Sequence, residues 1–285
     1  MIIELIIILV LFLILKWIYF NNLLVFLDLI ASVSNLLNYY FVKYRYQVTE
    51  YNLNRVFPNI SKNKFNEIYY YSTKLFILNS LIAIHQRFII DTNYLTKYYN
   101  KVDIPDELKE DIKNNKVIFA MAHYGIYYDF STFVNLYKFR LACAYKMKNN
   151  IIEKLIYKSD LYKNRVLPLR HNILGSLIDN NYDIITIPTD QKANSKKDKI
   201  KFLNQETNFH YSVADIHKAT KRSIWYFSSY YDFTNQKMNI ELIPIKNLHK
   251  KKEITQQIAD LITERVLKNP EQYFWHHDRF NSGLK

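Results

Sequence analysis

A chain of 285 residues can bury one large α/β core or two small ones, and its 49% hydrophobic content is ordinary for a globular protein. Its three glycines, Gly125, Gly175 and Gly283, lie too far apart for a glycine-rich phosphate cradle or a G-x-S-x-G nucleophile elbow. The net charge of +13 points to an anionic partner, and Cys143, the single cysteine, excludes an intrachain disulfide and a cysteine-built zinc site.

The first twenty residues carry an unbroken apolar run from Leu5 to Leu15, and the Trp17 to Phe20 continuation brings the segment to bilayer length. No small-residue cleavage site follows, so the segment reads as a retained transmembrane anchor. Lys16, Lys43 and Arg45 come after the run and no basic residue precedes it, which predicts a single-pass protein with its remainder on the cytoplasmic side. A second apolar patch, Leu23 to Ile30, is interrupted by Asp28 and reads as an interfacial helix rather than a second span. Residues 21–100 form a helical, membrane-facing region, with the clearest helical period from Ser61 to Phe88.

From residue 101 the period changes. Pro105 with Asp106, Glu107 and Glu110 opens a short helix. Strand-like runs follow at Val117–Ala122, Leu141–Tyr145, Ile184–Pro188, Ser223–Ser229 and Met238–Ile245. Helical segments separate them near Tyr127–Tyr137, Ile151–Leu161, Asn172–Asn180 and Tyr211–Thr220, and a last helix spans Glu253–Leu267. This alternation predicts an α/β domain over residues 101–285, a mostly parallel sheet flanked by helices. Cys143 falls in a strand and is expected to be buried there. The basic stretches Lys192–Lys201 and Lys246–Lys252 read as solvated faces.

In such a sheet the ligand crevice lies beyond the carboxyl ends of the strands. His123 follows the first strand at once, before Gly125 and, six positions on, Asp129. A histidine of this kind abstracts a hydroxyl proton best when a carboxylate fixes its tautomer and stabilises the imidazolium. Asp190 stands at the end of another strand, in Ile187-Pro188-Thr189-Asp190-Gln191, and Arg170 ends the run Leu167-Pro168-Leu169. The tail Pro270 to Phe280, PEQYFWHHDRF, adds His277 and Arg279, either of which can bind an anionic group. A metal site on His276, His277 and Asp278 is disfavoured, because adjacent side chains diverge and no third ligand stands at helical spacing. Aromatic residues fall in apolar runs rather than between lysines and arginines, so nucleic-acid binding ranks lowest.

These blocks, in this order, resemble the bacterial lipid A biosynthesis acyltransferases, the late-acylation family within the lysophospholipid acyltransferase group. His123-Tyr124-Gly125-Ile126-Tyr127-Tyr128-Asp129 is similar to the family's His-Phe-Gly-Asn-Trp-Glu, and Ala144-Tyr145-Lys146 with Asn150 to its Val-Tyr-Arg and Asn-Pro. Arg170 with Gly175 keeps its Arg-x4-Gly, and Asp190-Gln191 its Asp-Gln strand end. The tail is similar to Pro-Glu-Gln-Tyr-x-Trp-x-His-x-Arg-Phe and is the most specific match. The resemblance implies acyl transfer from acyl carrier protein to a hydroxyl of a lipid A precursor, at the cytoplasmic face of the inner membrane, with no cofactor and no metal. By it His123 is the general base, Asp129 its partner, and Arg170, Asp190, His277 and Arg279 shape the substrate site. One departure stands out. The family places its acid five positions after the histidine, where this chain has Tyr128, so either the turn holds an extra residue or Asp190 supports the histidine. The alternatives are an acyltransferase for another glycolipid or phospholipid, and a membrane-anchored lipid hydrolase using the same pair on water.

Overall fold

A computed structural model of the chain describes residues 13, 15–16, 22–89, 98–100, 104–127, 139–143, 166–168, 182–192, 199–280 and 282–284. Most of the anchor, Asp129, Arg170 and the expected helices Ile151–Leu161 and Asn172–Asn180 lie outside the described residues, as does all but Tyr127 of the expected helix Tyr127–Tyr137.

Among the described residues the helices α1 (Leu23–Leu37), α2 (Tyr46–Val56), α3 (Lys62–Ile89) and α4 (Asp106–Asn114) precede the sheet. The strands β1 (Val117–Met121), β2 (Leu141–Cys143), β3 (Val166–Pro168), β4 (Ile184–Pro188), β7 (Ser223–Asp232) and β8 (Lys237–Pro244) build one sheet in the order β3-β2-β4-β1-β7-β8. Every pairing in it is parallel except the β7–β8 hairpin. The helices α5 (Ser212–Thr220) and α6 (Lys251–Lys268) complete a mostly parallel mixed sheet flanked by helices.

The short strands β1 and β4 sit in the middle of the sheet and are apolar on both faces, as strands covered on two sides must be. Ile118, Ala120 and Ala122 join a core shared with α5 and α6, whereas Val117, Phe119 and Met121 face a second core with Leu108 and Ile112 of α4. A third cluster packs Leu24, Leu27 and Ala31 of α1 against Leu75 and Leu78 of α3 and Tyr231 of β7.

The structure extends one local expectation and corrects another. The helix expected at Leu23–Ile30 runs on through α1 into a π turn, Asn38–Val42. Asp28 does not break it, because its carboxylate is buried against Lys74 Nζ at 2.9 Å and accepts the Tyr231 hydroxyl at 3.2 Å. The end of the basic stretch Lys192–Lys201 is not simply a solvated face: a small antiparallel hairpin, β5 (Ile200–Phe202) and β6 (Gln205–Thr207), buries Ile200 and Phe202. Its turn residues Leu203 and Asn204 take positive φ of 50° and 60° without a glycine to announce them. The last strand turns back on its neighbour, since Asp232 Oδ1 accepts the Thr234 and Asn235 amides and makes a tight hairpin where a long crossover would be needed for a parallel strand.

Candidate active site

The β1–β4 register puts the site together. Met121 pairs with Pro188, and Thr189 N donates to Met121 O at 2.8 Å, so His123 and Asp190, each two residues past that pair, emerge side by side at the carboxyl edge of the sheet. The His123 ring Nδ1 lies 2.9 Å from Asp190 Oδ1, and the His123 backbone N–H donates to Oδ2 at 3.1 Å. An ionised carboxylate only accepts, so Nδ1 carries the proton and the Nε2 lone pair is left facing outward. Near it stands the Gln191 amide, with its Nε2 at 3.4 Å, and the Tyr127 ring edge, 4.9 Å between centroids.

Burial works against ionisation of both partners, and each outweighs it for the other. Asp190 is held below the ordinary carboxylate range by the His123 charge and two hydrogen bonds. His123, which burial alone would push down, is raised above its ordinary 6.5 by the Asp190 charge and hydrogen bond.

Behind His123 the chain must bend sharply. Gly125 takes φ +59°, and Ile126 N donates to Ser229 O of β7 at 3.0 Å. A Cβ at Gly125 would stand 1.7 Å from Ser229 O, a backbone atom that cannot swing away. Gly125→Ala is therefore expected to destabilise the fold by about 4 kcal/mol or more, the range reached only by severe core lesions, and a thermal melt of the detergent-solubilised variant checks it.

The C-terminal tail forms the other wall. Gly125 N donates to Gln272 O at 2.8 Å and Phe274 N to His123 O at 2.9 Å, so the tail runs antiparallel to residues 123–125 as a two-rung ladder. Gln272 is locked in turn by its amide, which exchanges hydrogen bonds with the Tyr231 backbone at 3.1 and 2.9 Å. Asn52 Nδ2 donates to both Trp275 O and His277 O at 2.8 and 2.7 Å, and Arg45 to His276 O at 2.9 Å. Buried Tyr273 keeps its phenol protonated, first through burial and then through the Asp190 charge.

The tail's polar residues divide. His277 lies on the Asp190 side, where its Nε2 accepts the Lys192 N–H at 3.3 Å; burial lowers its pKa, so it is a neutral hydrogen-bonding group at pH 7. Arg279 is buried, sandwiched between Phe202 and Phe209 with its Cζ 5.2 Å from each ring centroid. Its guanidinium donates to Thr207 Oγ1 and Asn208 O at 3.0 and 2.8 Å, which ties the tail to the β5–β6 hairpin rather than offering a head group to an anion.

His276 is fully buried beneath Tyr44, Phe76 and Phe274. The one hydroxyl proton of Thr73 goes to Tyr69 O at 2.7 Å, so Thr73 accepts from His276 Nε2 at 2.9 Å. Burial, then the Arg45 charge, pushes the His276 pKa down to about 3. A folded-state pKa below the ordinary 6.5 means that the unfolded chain binds the extra proton, so stability is lost as pH falls from 6.5 towards 3. This residue alone is expected to contribute about 1.4 kcal/mol of loss per pH unit. His276→Gln keeps a donor for Thr73 and removes that slope, as urea unfolding at pH 7 and pH 5 will read.

The strand ends in the sequence place His123 and Asp190 at the same edge, the family resemblance adds His277, and neither singles out Gln191 or Phe274 as neighbours of the ring. The strand-end motif Asp190-Gln191 carries the first of these, and only the tail's register carries the second.

No curated protein matches the chain. The family model described as bacterial lipid A biosynthesis acyltransferase matches residues 2–282, nearly the entire length. The chain thus belongs to the bacterial lipid A biosynthesis acyltransferase family.

Proposed function

We propose that this chain moves a fatty acyl group from the thioester of acyl carrier protein to a hydroxyl of a lipid A precursor, as a single-pass protein of the inner membrane with its α/β domain on the cytoplasmic face. The observation that carries the mechanism is the 2.9 Å contact of His123 Nδ1 with Asp190, which leaves Nε2 as the free base. In this reading Nε2 takes the proton of the acceptor hydroxyl as its oxygen attacks the thioester carbon. The C–O bond forms, the C–S bond breaks, and the imidazolium returns the proton to the departing thiolate. Asp190 stabilises the imidazolium without itself being protonated, in keeping with its lowered pKa. The Gln191 amide, 3.4 Å from Nε2, is a side-chain donor placed for the hydroxyl or for the developing oxyanion. His277 and Arg170 are assigned to polar groups of the acceptor, and Arg279 to holding the tail.

The partner role that the family resemblance gave to Asp129 passes to Asp190 in this proposal. A net charge of +13 suits both an acidic carrier and a phosphorylated glycolipid. Mass spectrometry of the lipid product after incubation with acyl carrier protein thioester tests the proposal: an added acyl chain supports it, and free fatty acid with unchanged lipid contradicts it.

A further inference from the structure

The outer face of α1 carries a stripe of exposed apolar side chains. Leu24, Leu27, Ala31 and Asn35 turn inward, while Leu29, Val33, Leu36 and Leu37 recur at three- and four-residue steps on the opposite side and are 45–56% exposed. The π turn then projects Tyr40, Phe41 and Val42, at 63%, 80% and 69% exposure, with exposed Lys43 next. Among the described residues, ten of the twelve large hydrophobic side chains that stand exposed lie between Leu13 and Tyr44, eight of them on α1 and the turn after it, and not in the usual scatter.

By length and composition Leu23–Val42 can cross a membrane, with a mean hydropathy of 1.4. Its inner face argues against crossing. Asp28 is paired with Lys74, Asn35 Nδ2 donates to Tyr70 O at 2.8 Å, and Asn38 Nδ2 donates to the Tyr69 hydroxyl at 3.3 Å. These contacts fix the helix lengthwise along α3, with only its outer half free to meet lipid. An apolar face edged by aromatic and basic residues is the pattern of a helix lying in a bilayer surface.

We propose that α1 lies in the surface layer of an anionic phospholipid bilayer, its outer stripe among the acyl chains and Phe41 and Val42 seated deepest. The turn after Val42 connects this surface to the site. Tyr44 stacks on Phe76 at 5.7 Å, Phe76 on Phe274 at 5.1 Å, and Phe274 lies 6.1 Å from the His123 ring. A lipid acceptor leaving the bilayer here meets an aromatic path that ends at His123; this last step rests on the acyltransferase reading above.

The test uses the full-length protein with Phe41→Cys carrying a bimane label, reconstituted in vesicles of phosphatidylethanolamine and phosphatidylglycerol. Cys143 is buried, with its thiol pushed up to about 12, and stays unlabelled. Lipids spin-labelled near the headgroup are expected to quench the label at least twofold more than an identical label at exposed Lys246. Quenching no greater than at Lys246 overturns the proposal, because the stripe is then covered by residues 1–20 or by a second copy. Strongest quenching by lipids labelled at the chain end overturns it in favour of a spanning helix. In parallel, Phe41→Asp is expected to lower acyl transfer about tenfold with acceptor in vesicles, but not in mixed detergent micelles; equal activity in both formats counts against it. If wild-type protein transfers no acyl group in either format, the acyltransferase reading fails while the quenching result still decides the placement of α1.

Discussion

Asp190→Asn is expected to reduce acyl transfer by about a thousandfold to ten-thousandfold, the scale seen when the carboxylate behind a catalytic histidine is replaced by its amide. An asparagine amide donates to Nδ1, so the proton moves to Nε2 and the base faces the hydroxyl already protonated. The pH profile carries the second half of the prediction. His123 works as a base only when deprotonated, so wild-type activity rises with pH through a pKa above 6.5. Without the Asp190 charge and hydrogen bond, burial alone remains and lowers that pKa, so the residual activity of the variant titrates at lower pH. Asp129→Asn is expected to cost less than about tenfold and to leave the profile in place, since the histidine already has its carboxylate. Equal effects of the two substitutions would contradict the assignment of Asp190 as the partner.

Much of this arrangement could be read along the chain, and the unread part has a common cause. A short β-type run followed by His123 and Gly125 locates the base at a strand end because strand length and the need for a positive-φ bend are local properties. The His123–Asp190 contact is not local. It spans 67 positions and depends on β1 and β4 being neighbours in register, which spacing along one chain does not encode. For that reason the family's histidine-plus-acid block directs attention to Asp129, six residues away. Asp28 likewise shows along the chain only as a charge within an apolar patch, since its partners Lys74 and Tyr231 come from α3 and β7 and make it a buried anchor point. The β5–β6 hairpin escaped notice because Leu203 and Asn204 adopt the left-handed turn that glycine would have announced. Arg279 suited an anion site by chemistry alone, and only the packing of Phe202 and Phe209 around it reveals its internal contacts.

His123→Ala removes the proposed base itself, with an expected loss of about a hundredfold to ten-thousandfold in rate. The fold should survive, because the backbone bonds of residue 123 to Asp190 and Phe274 do not need the imidazole. The most direct measurement reconstitutes full-length wild-type and His123→Ala proteins in vesicles with an acyl carrier protein thioester and a lipid A precursor, and follows the lipid by mass spectrometry. Wild-type protein is predicted to add the mass of one acyl chain to the precursor, and the variant, folded and membrane-bound to the same extent, to leave it unchanged. Acyl transfer at the wild-type rate by His123→Ala would contradict the account.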